Sequence, residues 1–397
     1  MNSGASRLVE LVPSASIEKL ACELVSIPSQ AGVDSVEPVL KAMAAWLEAR
    51  ELQPGFLTDQ EGNNTAVFAK CVGRTSGASI CINACLDTAP FGDRNSWSFS
   101  PTDGTIVANR LRGRGSADSK IGASIIAHVA DFIAKRQMIE SGTLYVLFDA
   151  DEHTGRFGGV RSFLERVSPR PQAVVLAYPG NDKLVVGARG FYRARITVFG
   201  KAAHSGATTR RGVNAIEKLA ELISMLRAAP LPVAMNGFPL PPVATISEIQ
   251  GGGGFSQIPD KATCNIDMRI TPSFDGPKAR AWLDDLVAGV DSQIPSPKNS
   301  IVELDQTWPP YTVDLNSRLV TSFLAAGQEA FSRPIASEIC GPSNIGNFLS
   351  AHAIPTICGL GVSYENLHGA DETSDVTTIP ASFCSYLTGS LNFLSAR

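Results

Sequence analysis

From about residue 15 to 180 the chain alternates apolar runs of strand length with segments of helical period. Few folds accept that alternation, and the expected one is a mixed or parallel sheet with helices on its faces. It predicts helices over 36–51 and 117–136 and strands over 78–86, 142–149 and 172–177. Near residue 186 the pattern changes to strand (FYRARITVFG), long helix (GVNAIEKLAELISMLRAA), Pro/Gly-rich loop, strand (PVATISEI), glycine run, strand (KATCNIDMRITP) and helix (PKARAWLDDLVAGV). Two helices on a small antiparallel sheet make a self-contained α+β insert, and residues 296–397 then return to the first style. The expectation is an α/β fold in which a mixed-sheet catalytic domain, 1–185 and 296–397, is interrupted by a smaller α+β lid or dimerisation domain over 186–295. The length of 397 residues also exceeds what one hydrophobic core usually serves.

A net charge of -4 provides no basic surplus for nucleic acid, so small molecules are the expected partners. No stretch of about 18 apolar residues suggests a membrane span, and the N-terminus has no apolar segment of signal-peptide length. The expected location is the cytoplasm. The eight cysteines are scattered without a CxxC pair, as reduced, buried thiols would be.

Four polar clusters follow strands or lie in the loops after them: "CLDTAP" (Cys85, Asp87), "GRGSADSK" (Asp118), "DADEH" (Asp149, Asp151, Glu152, His153) and "LHGADE" (His368, Asp371, Glu372). Open α/β sheets gather ligands at the carboxyl ends of their strands. Carboxylates, imidazoles and a thiol are the donor types that a zinc-like ion takes. Each cluster alone is weak, because a lone "DEH" after a strand is more often a solvated turn.

In this order the clusters resemble the M20 family of metallopeptidases and amidohydrolases. "CLDTAP" stands for that family's H-x-D-x-V-P, "GRGSADSKIG" for G-R-G-x-x-D-x-K-G, "DADEHTG" for D-E-E-x-G and "LHGADE" for H-x-x-x-E; "KAAHSG" and "QIPDKATCNIDMRITP" match motifs of the inserted domain. The resemblance implies a homodimer and a site for two zinc ions. Carried over residue by residue, it puts Cys85 at a histidine position, Asp118 at the bridging carboxylate, His153 at a glutamate position, Tyr178 at an acidic position and His368 at the last histidine. Glu152 takes the general-base position, and Asp87 the place of an aspartate that orients the first ligand. His204 matches a histidine that reaches a partner's site to stabilise an oxyanion, and Arg269 a position linked to a substrate carboxylate.

Three of the five ligand positions are changed, which removes carboxylate charge that two divalent ions need. Asp118, His153 and His368 still form a two-imidazole, one-carboxylate set suited to a single catalytic zinc. Two readings of Cys85 stand: a ligand to that ion or a weaker second one, or a small buried residue with Asp87 capping nearby backbone N–H groups. A third, Cys85 as nucleophile, requires a histidine base beside it. Tyr178 is either a hydrogen-bond donor in the pocket or a phenol facing solvent, and Arg269 either binds substrate or closes a salt bridge at a strand end. The expected function is metal-dependent hydrolysis of an N-acyl amino acid or small peptide. The alternatives are a catalytically reduced relative that binds such a molecule, and acyl transfer or amide formation.

Overall fold

The computed structural model describes residues 8–208 and 212–395. The chain divides into two compact units, residues 1–187 with 313–338 and 344–397, and residues 188–312 with 339–343.

In the first unit, helices α1 (Ser14–Ser26) and α2 (Glu37–Glu48) precede strands β1 (Gly55–Thr58), β2 (Asn64–Val72) and β3 (Thr75–Cys85). Helix α3 (Ile121–Arg136), strand β4 (Ser141–Asp149), helix α4 (Gly158–Arg166) and strands β5 (Ala173–Leu176) and β6 (Lys183–Ala188) follow. Strand β3 lies between β4 and β5 and is parallel to both, whereas β2 runs antiparallel to β4. Strand β3 is buried continuously from Ile80 to Cys85, as a strand covered on both faces must be. The expected helix start at 117 moves to 121, because Ser116–Lys120 form a tight turn in which Asp118 and Ser119 leave helical geometry.

The register matters for the site. Cys85 pairs with Asp149 and Asn83 with Leu176, so three parallel strands end side by side. The residues that follow each strand, Asp87, Glu152, His153 and Tyr178, therefore emerge at one edge of the sheet.

The second unit contains β7 (Gly190–Phe199), α5 (Ala215–Ala228), β8 (Val243–Gly251), β9 (Lys261–Ile270), α6 (Gly276–Gln293) and β10 (Ile301–Trp308). The strands form an antiparallel sheet in the order β8-β9-β7-β10. Alternate residues of β9, Ala262, Cys264, Ile266, Met268 and Ile270, are buried with Leu219 and Leu222 of α5 and with Leu283, Val287 and Val290 of α6. Period two on the strand thus meets period 3.6 on the helices. Asn214 and Asp275 cap the two helices by accepting backbone N–H groups of Ile216 and Lys278. The expected boundary at 295 is too early, since β10 pairs with β7 and extends this unit to Thr312. The returning chain adds α7 (Arg318–Ala330), β11 (Thr356–Gly359) and α8 (Ile379–Ser395) to the first unit, with β11 parallel to β5.

Candidate metal centre

Asp118, in the turn before α3, meets two imidazoles that are distant in the chain. His368 Nε2 is 3.1 Å and His153 Nε2 3.7 Å from Asp118 Oδ2. The two imidazole rings stand 5.4 Å apart, centre to centre. Asp118, His153 and His368 each present one donor atom within 4.8 Å of the others, the spread that a single ion can bridge. Cys85, Glu152 and His153 form a second group with the same spread.

His153 is the hub. Its side chain is 6% exposed, and neither ring nitrogen has a hydrogen-bond partner, although Nδ1 lies 3.3 Å from both Asp87 Oδ2 and Glu152 Oε2. Buried polar atoms are normally satisfied, so an orphaned imidazole among carboxylates fits a centre that takes a cation. His368, half-exposed, forms the open side of the cluster.

Electrostatics follow from burial and crowding. Burial alone would raise the Asp118 carboxyl, but the His153 and His368 imidazoles beside it outweigh burial and hold the group below the usual carboxylate range. Burial lowers the affinity of the His153 imidazole for a proton, whereas Glu152 and Asp87 more than reverse this and push it well up. Burial lifts Glu152 to about 7, with His153 opposing and Asp118 and Asp87 adding to the rise. A carboxyl tuned toward neutrality is suited to taking and returning a proton.

Cys85 is fully buried at the end of β3, and burial, reinforced by Asp118, Glu152 and Asp87, drives its thiol well up. Its sulfur lies 3.2 Å from Ser119 Oγ, and its backbone N–H donates to the same hydroxyl at 2.9 Å. The sulfur also lies 3.6 Å from Asp118 Oδ1, so the thiol sits between a neutral hydroxyl and a carboxylate of the candidate metal cluster. Asp87 does not orient an imidazole at position 85: its carboxylate accepts the backbone N–H groups of Glu152 (3.1 Å) and His153 (2.8 Å). The Tyr178 side chain faces inward, buried with an unpartnered hydroxyl beside the Glu152, Cys85 and Asp118 side chains.

Arg269 and His204 belong to the second unit. Arg269 pairs with Asp267 at 3.1 Å and donates to Ser343 Oγ at 3.1 Å, so the strand-end salt bridge is present. His204 is exposed and its Nδ1 accepts the Gly206 N–H. His128 is a packed core histidine, bonded to the Ser124 carbonyl and to Ser16 Oγ. Sequence reasoning did not assign a role to Ser119, Arg114 or Glu372. Their signal was present in "GRGSADSK" and "LHGADE", but only the tertiary contacts show what they hold.

Residues 186–293 match the M20 peptidase dimerisation domain. The succinyl-diaminopimelate desuccinylase of Rhodospirillum centenum is 28% identical over 274 residues, 66% of this chain and 69% of that protein. The chain is thus similar to the M20 family, with its dimerisation-domain match confined to residues 186–293. A metallo-carboxypeptidase of the M20 family from Sulfolobus solfataricus superposes with a TM-score of 0.77 at 14% identity, over 95% of this chain and 99% of that one. A dinuclear metal-binding M20 peptidase from Bacillus subtilis gives 0.71 at 17%, over 97% and 99%. The M20 fold therefore spans both units, and its dimerisation domain is a basis for oligomerisation. Among the described residues no helix is long and apolar enough to cross a membrane.

Proposed function

We propose that this M20-like chain is a metal-dependent amidohydrolase that cleaves the amide bond of an N-acyl amino acid or small peptide, using one zinc-class ion held by Asp118, His153 and His368. The observation that carries this reading is the orphaned His153 imidazole, within one ion's reach of Asp118 and His368 and beside Glu152. The names of the relatives, desuccinylase and metallo-carboxypeptidase among them, support the substrate class.

When bound, such an ion supplies Lewis acidity at the carbonyl oxygen. Glu152 takes a proton from the water that attacks the carbonyl carbon, and gives it to the departing nitrogen as the C–N bond breaks. The products are a carboxylate and an amine. Asp87 is a positioning residue that holds the backbone of Glu152 and His153. Tyr178 donates its unpartnered hydroxyl to substrate, Arg269 takes a substrate carboxylate through its planar guanidinium, and His204 serves the oxyanion of a partner subunit in a homodimer. Cys85 is the small buried residue of a lost ion position, its thiol shared between the Ser119 hydroxyl and the Asp118 carboxylate. No disulfide joins any of the eight cysteines, in keeping with a cytoplasmic setting.

Zinc content per chain, measured on protein purified without added metal, tests the ion count: about one supports the reading, and about two or none refutes it. Glu152→Gln should abolish hydrolysis of N-acetyl and N-succinyl amino acids at unchanged zinc content. Activity that survives this change removes Glu152 as the base.

A further inference from the structure

Beneath the ligand cluster lies an ion pair that none of the proposed chemistry uses. Arg114 Nη1 contacts Glu372 Oε2 at 2.5 Å, with the two side chains 1% and 0% exposed. We infer that the Arg114–Glu372 pair is a positioning device that sets metal affinity by locking the Asp118 turn to the His368 turn; this rests on the ligand set proposed above.

The pair reaches the backbone on both sides. Glu372 Oε1 accepts the N–H groups of Gly115 and Ala117 at 3.0 Å each and that of Asp118 at 3.4 Å. The Glu372 carbonyl accepts the N–H of Gly113 and the hydroxyl of Ser116. Every donor belongs to the segment that delivers Asp118. In the other direction, Arg114 Nη2 donates to the carbonyls of His368 at 3.0 Å and Pro90 at 3.1 Å. His368 itself sits in the left-handed region, with φ of 61°. A non-glycine residue holds that backbone only where its surroundings enforce it, and the Arg114 fork supplies one such restraint. The two ligands so held are 250 residues apart in sequence and 3.1 Å apart in space.

Stability alone does not explain such a pair. Replacing a buried ion pair with apolar groups is often neutral or stabilising, so its value lies in what an apolar pair cannot do. Hydrocarbon side chains leave the Gly115, Ala117 and His368 backbone groups without partners, and the ligand spacing is then free to drift. Gly115, with φ of 83° and its Cβ position 2.6 Å from Thr88 Cγ2, shows how closely this turn is packed. Outer partners of this kind typically govern metal affinity by 10–100-fold.

The test is Zn²⁺ titration against a chromophoric chelator, on full-length protein stripped of metal, with thermal unfolding recorded in chelator and in zinc. Glu372→Gln keeps an oxygen for the Gly115 and Ala117 N–H groups but removes the charge that holds Arg114. It should weaken zinc binding about 10–100-fold. Because this variant leaves Arg114 buried and unpaired, Arg114→Met/Glu372→Gln provides a second measurement without the stranded charge. That double variant should unfold in chelator near the wild-type temperature, yet lose most of the zinc-induced rise and bind zinc at least about tenfold more weakly. Either variant folded with zinc affinity within about threefold of wild type overturns the inference. Wild-type protein that binds no zinc instead overturns the ligand set, and the inference with it.

Discussion

Asp87 offers a direct test of how the ligand loop is held. Its fully buried carboxylate accepts two backbone N–H groups, from Glu152 and His153, the residues assigned to proton transfer and metal ligation. Asp87→Ala leaves both donors without a partner. An unsatisfied buried N–H costs about 1–3 kcal/mol, and because this loop is only partly buried the lower half of that range applies, giving about 2–4 kcal/mol for the pair. Removing the charge relieves repulsion with Glu152 and Asp149 but also removes attraction to His153 and Lys120, so the loss is set by the backbone donors alone. Asp87→Asn keeps one carbonyl oxygen as acceptor and points an amide N–H₂ at the other donor, so about 1 kcal/mol is expected. Urea unfolding in excess chelator measures these losses without any contribution from zinc. The expected order of stability is wild type, then Asn, then Ala, with zinc affinity falling in the same order. An alanine variant within about 0.5 kcal/mol of wild type, or an asparagine variant as unstable as alanine, would refute this account.

Two further outcomes follow from buried groups. Burial, partly offset by the Ser124 carbonyl, lowers His128 from 6.5 to about 4, so between those values the unfolded chain binds more protons than the folded one. Stability should be insensitive to this group above pH 6.5, fall by about 3 kcal/mol as pH drops from 6.5 to 4, and level off below; urea unfolding of His128→Leu should lack that component, and identical pH profiles would exclude it. Cys85→His with Tyr178→Asp restores an imidazole and a carboxylate beside Asp118, and zinc content measured by mass spectrometry should rise from about one ion per chain to about two. A content that stays at one would show that the remaining groups, not these two, limit the count.

The chain by itself determined the alternation of β and α elements and the switch to an α+β insert, because periods of 2 and 3.6 are local properties that burial enforces. It also carried the four polar clusters, since each follows a strand or opens a helix in a recognisable local pattern. The later end of the second unit was not legible: the strand Ile301–Trp308 has ordinary strand composition, and only its pairing with Gly190–Phe199 assigns it there. Nor could the sequence show that Asp87 holds two backbone amides, that the Cys85 thiol turns to Ser119, or that Arg114 and Glu372 join the turns of Asp118 and His368. Those roles depend on distances between segments far apart in the chain. Local residue patterns specify which elements form, but partners across 250 residues are chosen by how the parallel strands align and by which buried donors and charges must be satisfied at once.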